Sequence, residues 1–362
     1  MEEIKQHKRR GRIPIIEVVD LFCGIGGLSY GMKSEGFKIL AGFDLDWTCQ
    51  YAYETNNGAR FICKDIRQVK KEDIIPFYSK KSIKVLAGCA PCQPFSSYAF
   101  KNKNKDASKY NLLYEFGRLV KEIHPDVVTM ENVPAIASFK LKSVLTDFIK
   151  LLQGEGYQVN YQVVFCPNYG IPQTRKRMVL LASRLGKINL IPPTHTKENY
   201  VTVRDTIGNL PPLKAGESCQ TDALHRCRAL SPLNMQRIMA TPYGGGWKDW
   251  PKELQLECHK KDGGKSFGSV YGRMVWEEPA PTMTTLCTGI GNGRFGHPTQ
   301  NRAISAREAA LFQTFPITYK FFQNEQDVSL VKASRYIGNA VPPRLGEVIA
   351  ESIKQHIRNT PL

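Results

Sequence analysis

The segment GCAPCQPFSS, Gly88 to Ser97, places two cysteines at C-x-x-C spacing directly after the apolar run KVLA. Pro91 and Pro94 flank Cys92, break the strand into a loop and keep that thiol out of a helix. Three chemistries compete for such a pair. A thioredoxin-like redox couple sits at a helix N-terminus, which Pro94 and Phe95 suit poorly. Half of a zinc site needs a second C-x-x-C, and Cys219, Cys227 and Cys258 are too irregularly spaced to supply one, so no metal is expected. The third is a nucleophile, Cys92, whose thiolate is favoured by neighbouring cations or donors. Two other segments supply such groups. Glu131, in MENV, closes an apolar run, and QTRKR, from Gln173 to Arg177, alternates Arg175 and Arg177 along one face of an extended stretch. Singly these read as a paired surface acid and a solvated basic face. With Cys92 they form the inventory of a covalent site: nucleophile, acid and electrostatic support.

A second constellation surrounds DLFCGIGGLSYG, Asp20 to Gly31. Gly24, Gly26 and Gly27 let the backbone turn tightly and approach a ligand at the start of the next helix. The pattern is GxGG, with Ser29 where a dinucleotide fingerprint has its third glycine, which weakens an NAD-linked oxidoreductase reading. Asp46 follows the second apolar run and suits ribose hydroxyls. Asp65, in KDIRQV, falls where a third strand would end and suits an adenine amino group. Either aspartate alone reads as a turn or helix cap. Three ligand-compatible features at successive strand ends favour a nucleoside cofactor.

These residues need a scaffold that brings strand ends together, and the patterning supplies one. Strands are predicted at Ile15–Leu21, Ile39–Phe43, Val85–Gly88 and Val127–Met130, with helices at Leu28–Glu35, Thr48–Thr55 and Leu112–Ile123. Alternating strands and helices imply an α/β fold, a mostly parallel sheet covered on both faces. Tyr157–Phe165 and Met178–Ala182 read as a closing strand pair. After about Ser183 the texture changes to Pro, Gly and Trp without sustained period, as in GGGW at 244–247 and GIGNGRFGHP at 289–298. The chain therefore divides into a basic arm at 1–13, a catalytic cofactor-binding domain at 14–184, an irregular domain of short strands and loops at 185–300, and a segment at 301–362. In that last segment Leu345–Ile357 reads as a helix that rejoins the first domain.

Of 362 residues 42% are hydrophobic and 23% charged, the composition of a folded chain. The ten cysteines read mostly as small core residues. The start, MEEIKQHKRRGR, has no apolar stretch of the secretory kind, so a cytoplasmic location is expected. A formal charge of +17 favours a polyanionic partner, because each Lys or Arg set against a phosphate releases counterions.

At these residues the sequence resembles the DNA cytosine-5 methyltransferase family, in the prokaryotic restriction-modification form, along nearly its whole length. DLFCGIGG resembles the family's cofactor loop, GCAPCQPFS its Pro-Cys loop, ENV its glutamate segment and QTRKR its Gln-x-Arg-x-Arg segment. REAALFQTFP, Arg307 to Pro316, and IGNAVPP, Ile337 to Pro343, match its two C-terminal signatures. The resemblance implies a Rossmann-like fold dependent on S-adenosyl-L-methionine, with 185–300 as the target-recognition domain. It implies methyl transfer to C5 of a cytosine flipped out of duplex DNA. Cys92 would add to C6, Glu131 would act at N3, Arg175 would steady the base, and Arg177 would position the site. Phe22, Gly24, Gly26, Asp46, Asp65 and Asn339 match cofactor positions. Asp46 stands where many relatives have glutamate.

DNA contacts are expected from the lysine-bearing stretch 93–111, with Gln93, Ser96, Lys101 and Lys103, as a loop closing over the duplex. In APTMTT, Ala280 to Thr285, Thr282 matches a Thr-containing element, with Thr-Met where relatives often have Thr-Leu. Arg273, Asn292 and Arg294 are candidate base readers, since arginine pairs bidentately with guanine. A cognate restriction endonuclease acting on the same site and monomeric action belong to this reading. Its rivals are a tRNA cytosine methyltransferase on the same scaffold, whose Cys-Phe-Thr tripeptide is absent here, and an idle DNA-binding regulator.

Overall fold

The computed structural model describes residues 14–91, 111–138, 142–261 and 267–360. Its strands are β1 (Ile16–Leu21), β2 (Lys38–Asp44), β3 (Arg60–Cys63), β4 (Ile83–Gly88), β5 (Val127–Asn132), β6 (Gln158–Phe165) and β7 (Lys176–Ser183). They form one sheet in the order β3-β2-β1-β4-β5-β7-β6. The first five are parallel, and β7 enters antiparallel between β5 and β6. Every residue of β1, β4 and β5 but Lys84 is buried, which is why these strands read as continuous apolar runs rather than alternating ones. The edge strand β6 is largely exposed.

Helices cover both faces. On one lie α1 (Gly27–Ser34) and α2 (Gln50–Asn57); on the other lie α3 (Lys71–Ile74), α4 (Asn111–Ile123) and α5 (Lys142–Gly154). Short helices α6 (Val203–Ile207), α7 (Pro232–Met239) and α8 (Glu257–Lys260) punctuate the middle of the chain. Then come α9 (Ala306–Phe312), α10 (Leu330–Asn339) and α11 (Pro343–Asn359). In α4 the buried residues Leu113, Phe116, Val120 and Ile123 recur at helical spacing. Helix α5 is absent from the sequence reading, although Val144, Leu145, Phe148 and Leu152 give it the same stripe. No helix among the described residues is long and apolar enough to cross a membrane.

Between 185 and 300 the expected short strands are replaced by those short helices, 3-10 turns and isolated bridges such as Arg273 with Gly296. The large hydrophobic cluster beneath α1 runs on without a break through Met274, Ala280, Met283, Cys287 and Phe295. A separate small cluster joins this region to the segment that follows it: Ile238, Ile290 and Ala303, flanked by Leu230, Met235 and Tyr271.

The C-terminal segment packs against the start of the sheet. Helix α11 lies on α1 at glycine-to-backbone distance: a Cβ on Gly31 would stand 2.0 Å from the Pro343 carbonyl oxygen, and one on Gly346 2.7 Å from that of Leu28. A Cβ on Gly27 would meet the Val341 carbonyl oxygen at 2.2 Å. Tyr319 donates its hydroxyl to the Ile25 carbonyl inside the glycine loop. Residues far apart in sequence thus close around the ends of β1 and β2.

Candidate active site

The sheet register brings the sequence motifs to one edge. Leu21 at the end of β1 pairs with Gly88 at the end of β4, and Gly88 pairs with Met130 in β5. The chain runs outward from β1 to β3 on one side and from β4 to β5 on the other. The β1/β4 boundary is therefore the switch point where open α/β sheets bind ligands. The glycine loop leaves one side of it and the cysteine loop the other. Cys89 is still tied to the sheet through its N–H to the Leu21 carbonyl, 3.2 Å, and Asn132 Nδ2 reaches the Ala90 carbonyl at 3.4 Å. Cys92, Gln93, Ser96, Lys101 and Lys103 lie outside the described residues.

Glu131 follows Met130 in β5, so by strand alternation its side chain leaves the opposite face. On β7, Arg177 points to that same face, and its Nε lies 2.7 Å from Glu131 Oε1. Both side chains are nearly buried. The contact is an ion pair without hydrogen-bond geometry, which leaves Oε1 buried and unmatched by a donor. A buried carboxylate oxygen with lone-pair capacity to spare is what a base edge bearing a proton would need.

Arg175 is not on a solvated face with Arg177. It is 2% exposed, and its Nη1 donates to the Met283 carbonyl at 3.0 Å. Its Nη2 donates, at 3.4 Å in each case, to the carbonyls of Gly338 and Ala340, on either side of Asn339. Burial, reinforced by Arg177 and opposed by Glu131, draws its guanidinium pKa down to about 9, while Nε has no partner. Gln173 extends this network: it accepts from Met283 N at 3.1 Å and donates to the Phe312 carbonyl at 2.8 Å and to Gln313. Gln313 in turn holds the carbonyls of Ile337 and Ala340. Thr282 donates to the Thr174 carbonyl at 3.1 Å, joining the same cluster.

At the cofactor side, Phe22 has a left-handed φ of 59°, and Gly24 and Gly26 have φ of 51° and 87°. A Cβ on Gly24 would meet nothing within 4 Å, so open space lies beside the loop. The loop is braced by Asp44, a residue the sequence reading passed over. Its two carboxylate oxygens accept from Gly24 N at 2.8 Å and Asp46 N at 2.9 Å, and burial raises its pKa. Asp20, also missed, is fully buried; burial raises its pKa to about 7 despite the hydrogen bond from Ser29, and one of its oxygens has no partner. Ser29, where a glycine was looked for, thus anchors α1 to β1.

Asp46 caps the turn at Trp47–Cys49 and pairs with Arg335 of α10 at 3.0 Å. Trp47 beside it is 70% exposed, an unusual setting for an indole and a ready face for a nucleobase. Asp65 caps the Ile66–Gln68 turn and is held by Arg67. Asn339 is exposed at the end of α10.

The candidate base readers fare differently. Arg273 is 5% exposed; its guanidinium donates to the carbonyls of Thr241 (2.8 Å), His297 (2.9 Å), Gln300 (2.7 Å) and Ile238 (2.7 Å), and to Asn301. It staples loops together and is not presented to a base, so that expectation is corrected. Arg294 is half-buried, with Nη1 on the carbonyls of Gly244, Gly245 and Arg273. Asn292 is exposed.

Comparison with known proteins agrees with this arrangement. The family described as C-5 cytosine-specific DNA methylase matches residues 16–355. The Type II methylase M.HgiDII of Herpetosiphon aurantiacus is 52% identical over 94% of this chain and 95% of its own. The Type II methyltransferase M.PspPI of Psychrobacter sp. is 31% identical over 95% and 80% respectively. Among solved structures, a DNA modification methyltransferase encoded within an Escherichia coli prophage superposes with a TM-score of 0.71, covering 94% of this chain and 99% of that one at 22% identity. With a glycine loop at the switch point and a glutamate–arginine pair on the neighbouring strands β5 and β7, the chain, matched from β1 into α11, is a member of the C-5 cytosine-specific DNA methylase family, a DNA (cytosine-5)-methyltransferase.

Proposed function

We propose that the chain transfers a methyl group from S-adenosylmethionine to C5 of a cytosine flipped out of a specific duplex sequence, through a covalent bond between Cys92 and C6. The observation that carries this reading is the Glu131–Arg177 pair, a nearly buried carboxylate with an unmatched oxygen on the sheet edge beside the strand that runs into the Cys92 loop.

The cofactor supplies an electrophilic methyl on a sulfonium. The open space beside Gly24, the exposed Trp47 and the carboxylates of Asp46 and Asp65 fit its adenosine part, with Asn339 reaching the site from α10. Cytosine C5 is a poor nucleophile. Addition of the Cys92 thiolate to C6 breaks the C5–C6 π bond and moves its electrons towards C5, while Glu131 holds a proton at N3. C5 then takes the methyl group, and the C5 proton leaves to a base. The returning electrons restore the double bond and expel the Cys92 thiolate. Arg177 keeps Glu131 in place. Arg175, through the carbonyls of Met283, Gly338 and Ala340, holds the Thr282 segment and the Asn339 turn in register around the base.

DNA is the acceptor, drawn by the +17 charge. The lysines of 93–111 and the exposed surface of 185–300 would hold it, and a cognate endonuclease would cut the same site when unmethylated. The test is label transfer from S-adenosylmethionine to unmethylated duplex DNA and bulk tRNA in parallel, followed by nucleoside analysis. Label in DNA as 5-methyldeoxycytidine is expected, and Cys92→Ala should abolish it while retaining cofactor binding. Label in tRNA alone, or turnover by Cys92→Ala, would refute the reading.

A further inference from the structure

The turn that follows β2 and the helix α10 are joined by a closed ring of polar contacts. Arg335 Nη1 lies 3.0 Å from Asp46 Oδ2, and its Nη2 donates to Thr48 Oγ1 at 3.0 Å. Thr48 returns both its hydroxyl and its N–H to Asp46 Oδ1, the latter at 3.2 Å. Tyr336 donates its hydroxyl to the Thr48 carbonyl at 2.9 Å, and the Arg335 guanidinium lies over the Tyr336 ring.

The lone pairs can be counted. An ionised carboxylate offers about four acceptor sites. Thr48 fills two on Oδ1, and the Arg335 guanidinium faces Oδ2 as an ion pair at 3.0 Å. Oδ1 therefore has none to spare, whereas accepting both hydroxyls of a vicinal diol, one on each oxygen, needs a free site on both. The second oxygen of the diol must be met by a donor. Arg335 has five N–H groups, of which one is committed to a hydrogen bond among the described residues, and its side chain is 43% exposed. It also lies on the same face of α10 as Asn339, four residues on.

We propose that Arg335 is the second half of the ribose-reading group: one hydroxyl of the cofactor's diol donates to Asp46 Oδ2, and the neighbouring oxygen accepts from Arg335. This rests on the cofactor reading given above and deepens it. Asp46 and Arg335 act as a donor–acceptor pair matched to a vicinal diol, held rigid by Thr48 and Tyr336.

The experiment is titration calorimetry on the full-length chain with S-adenosylhomocysteine and its 2′-deoxy and 3′-deoxy counterparts, for wild type, Arg335→Gln, Arg335→Lys and Arg335→Met. Melting temperatures are recorded alongside. Arg335→Gln should weaken S-adenosylhomocysteine by about tenfold, the size of one charge-assisted hydrogen bond. One deoxy analogue should lose affinity for the wild type yet bind the variant as well as the parent ligand does, because the partner of the missing hydroxyl has gone. Arg335→Lys, which keeps a charged donor, should recover part of the loss, whereas Arg335→Met, which has no donor, carries the same comparison if the glutamine variant melts too low to titrate. If both deoxy penalties persist in Arg335→Gln or Arg335→Met, Arg335 only fastens α10 and the proposal is overturned. If the wild type does not bind S-adenosylhomocysteine, the cofactor reading falls and this proposal with it.

Discussion

Replacing Arg177 by methionine would remove the cation beside Glu131 while keeping most of the side-chain volume. The carboxylate is 7% exposed and its Oε1 sits 2.7 Å from Arg177 Nε, with no donor in hydrogen-bond geometry to take over. Breaking a buried pair from one side costs about 3–5 kcal/mol. That range is the expected loss, because the Glu131 carboxylate would stay buried without its nearest cation. Glu131→Gln removes the stranded charge while keeping the shape, so the double variant should recover most of the loss. Urea unfolding of wild type, Arg177→Met, Glu131→Gln and the double variant measures this directly, as the coupling between the two sites. A coupling near zero would mean that Arg177 contributes packing alone, and the charge-pair argument would fail.

The other expectations are shorter. Asp20 is raised to about 7 by burial, so its contribution is present below the ordinary carboxyl range and is lost as pH rises through 7; Asp20→Asn should flatten that part of the stability–pH curve, and an unchanged slope in urea midpoints from pH 5 to 8 would contradict it. A Cβ on Gly338 would fall 2.3 Å from backbone atoms of Thr284 and Thr285. Gly338→Ala should therefore cost about 1–3 kcal/mol and weaken cofactor affinity by displacing the Asn339 turn, which a melt and a titration would check. Affinity for non-specific duplex DNA should fall about 10³–10⁵-fold between roughly 50 and 200 mM salt if about 6–10 phosphates are met. A flat salt response would assign the positive charge to another task.

The parallel half of the sheet was legible because each buried strand is a short apolar run bounded by a turn, and the ends of those runs carried the motifs. Glu131 and Arg177 could be paired in advance only as types, since the distance between β5 and β7 depends on an antiparallel insertion that apolar runs do not announce. Helix α5 escaped notice, although Val144, Leu145, Phe148 and Leu152 carry a helical period. Asp44 escaped for another reason. In FDLD either aspartate suits a ligand, and only the fold turns one inward to hold Gly24 N and leaves the other beside Trp47. Arg273 misled because a basic residue in a loop-rich stretch looks solvent-facing. Irregular segments leave many carbonyls without sheet or helix partners, and a buried guanidinium with five donors is an efficient way to satisfy them.

The same accounting explains how two arginines two residues apart come to different tasks. Arg177 lies within β7, where the strand period aims its Nε at Glu131, while its Nη1 donates to the adjacent Lys176 carbonyl at 2.7 Å. Arg175 precedes the strand, where the chain meets two irregular segments. There its guanidinium meets the carbonyls of Met283, Gly338 and Ala340. A lysine at 175 could keep the charge but could not span both segments with one planar group, whereas a lysine at 177 could still reach a single carboxylate. The Gln-x-Arg-x-Arg spacing is therefore a junction between sheet and loops, with the inner arginine paired to Glu131 and the outer one holding the Thr282 segment and the Asn339 turn together.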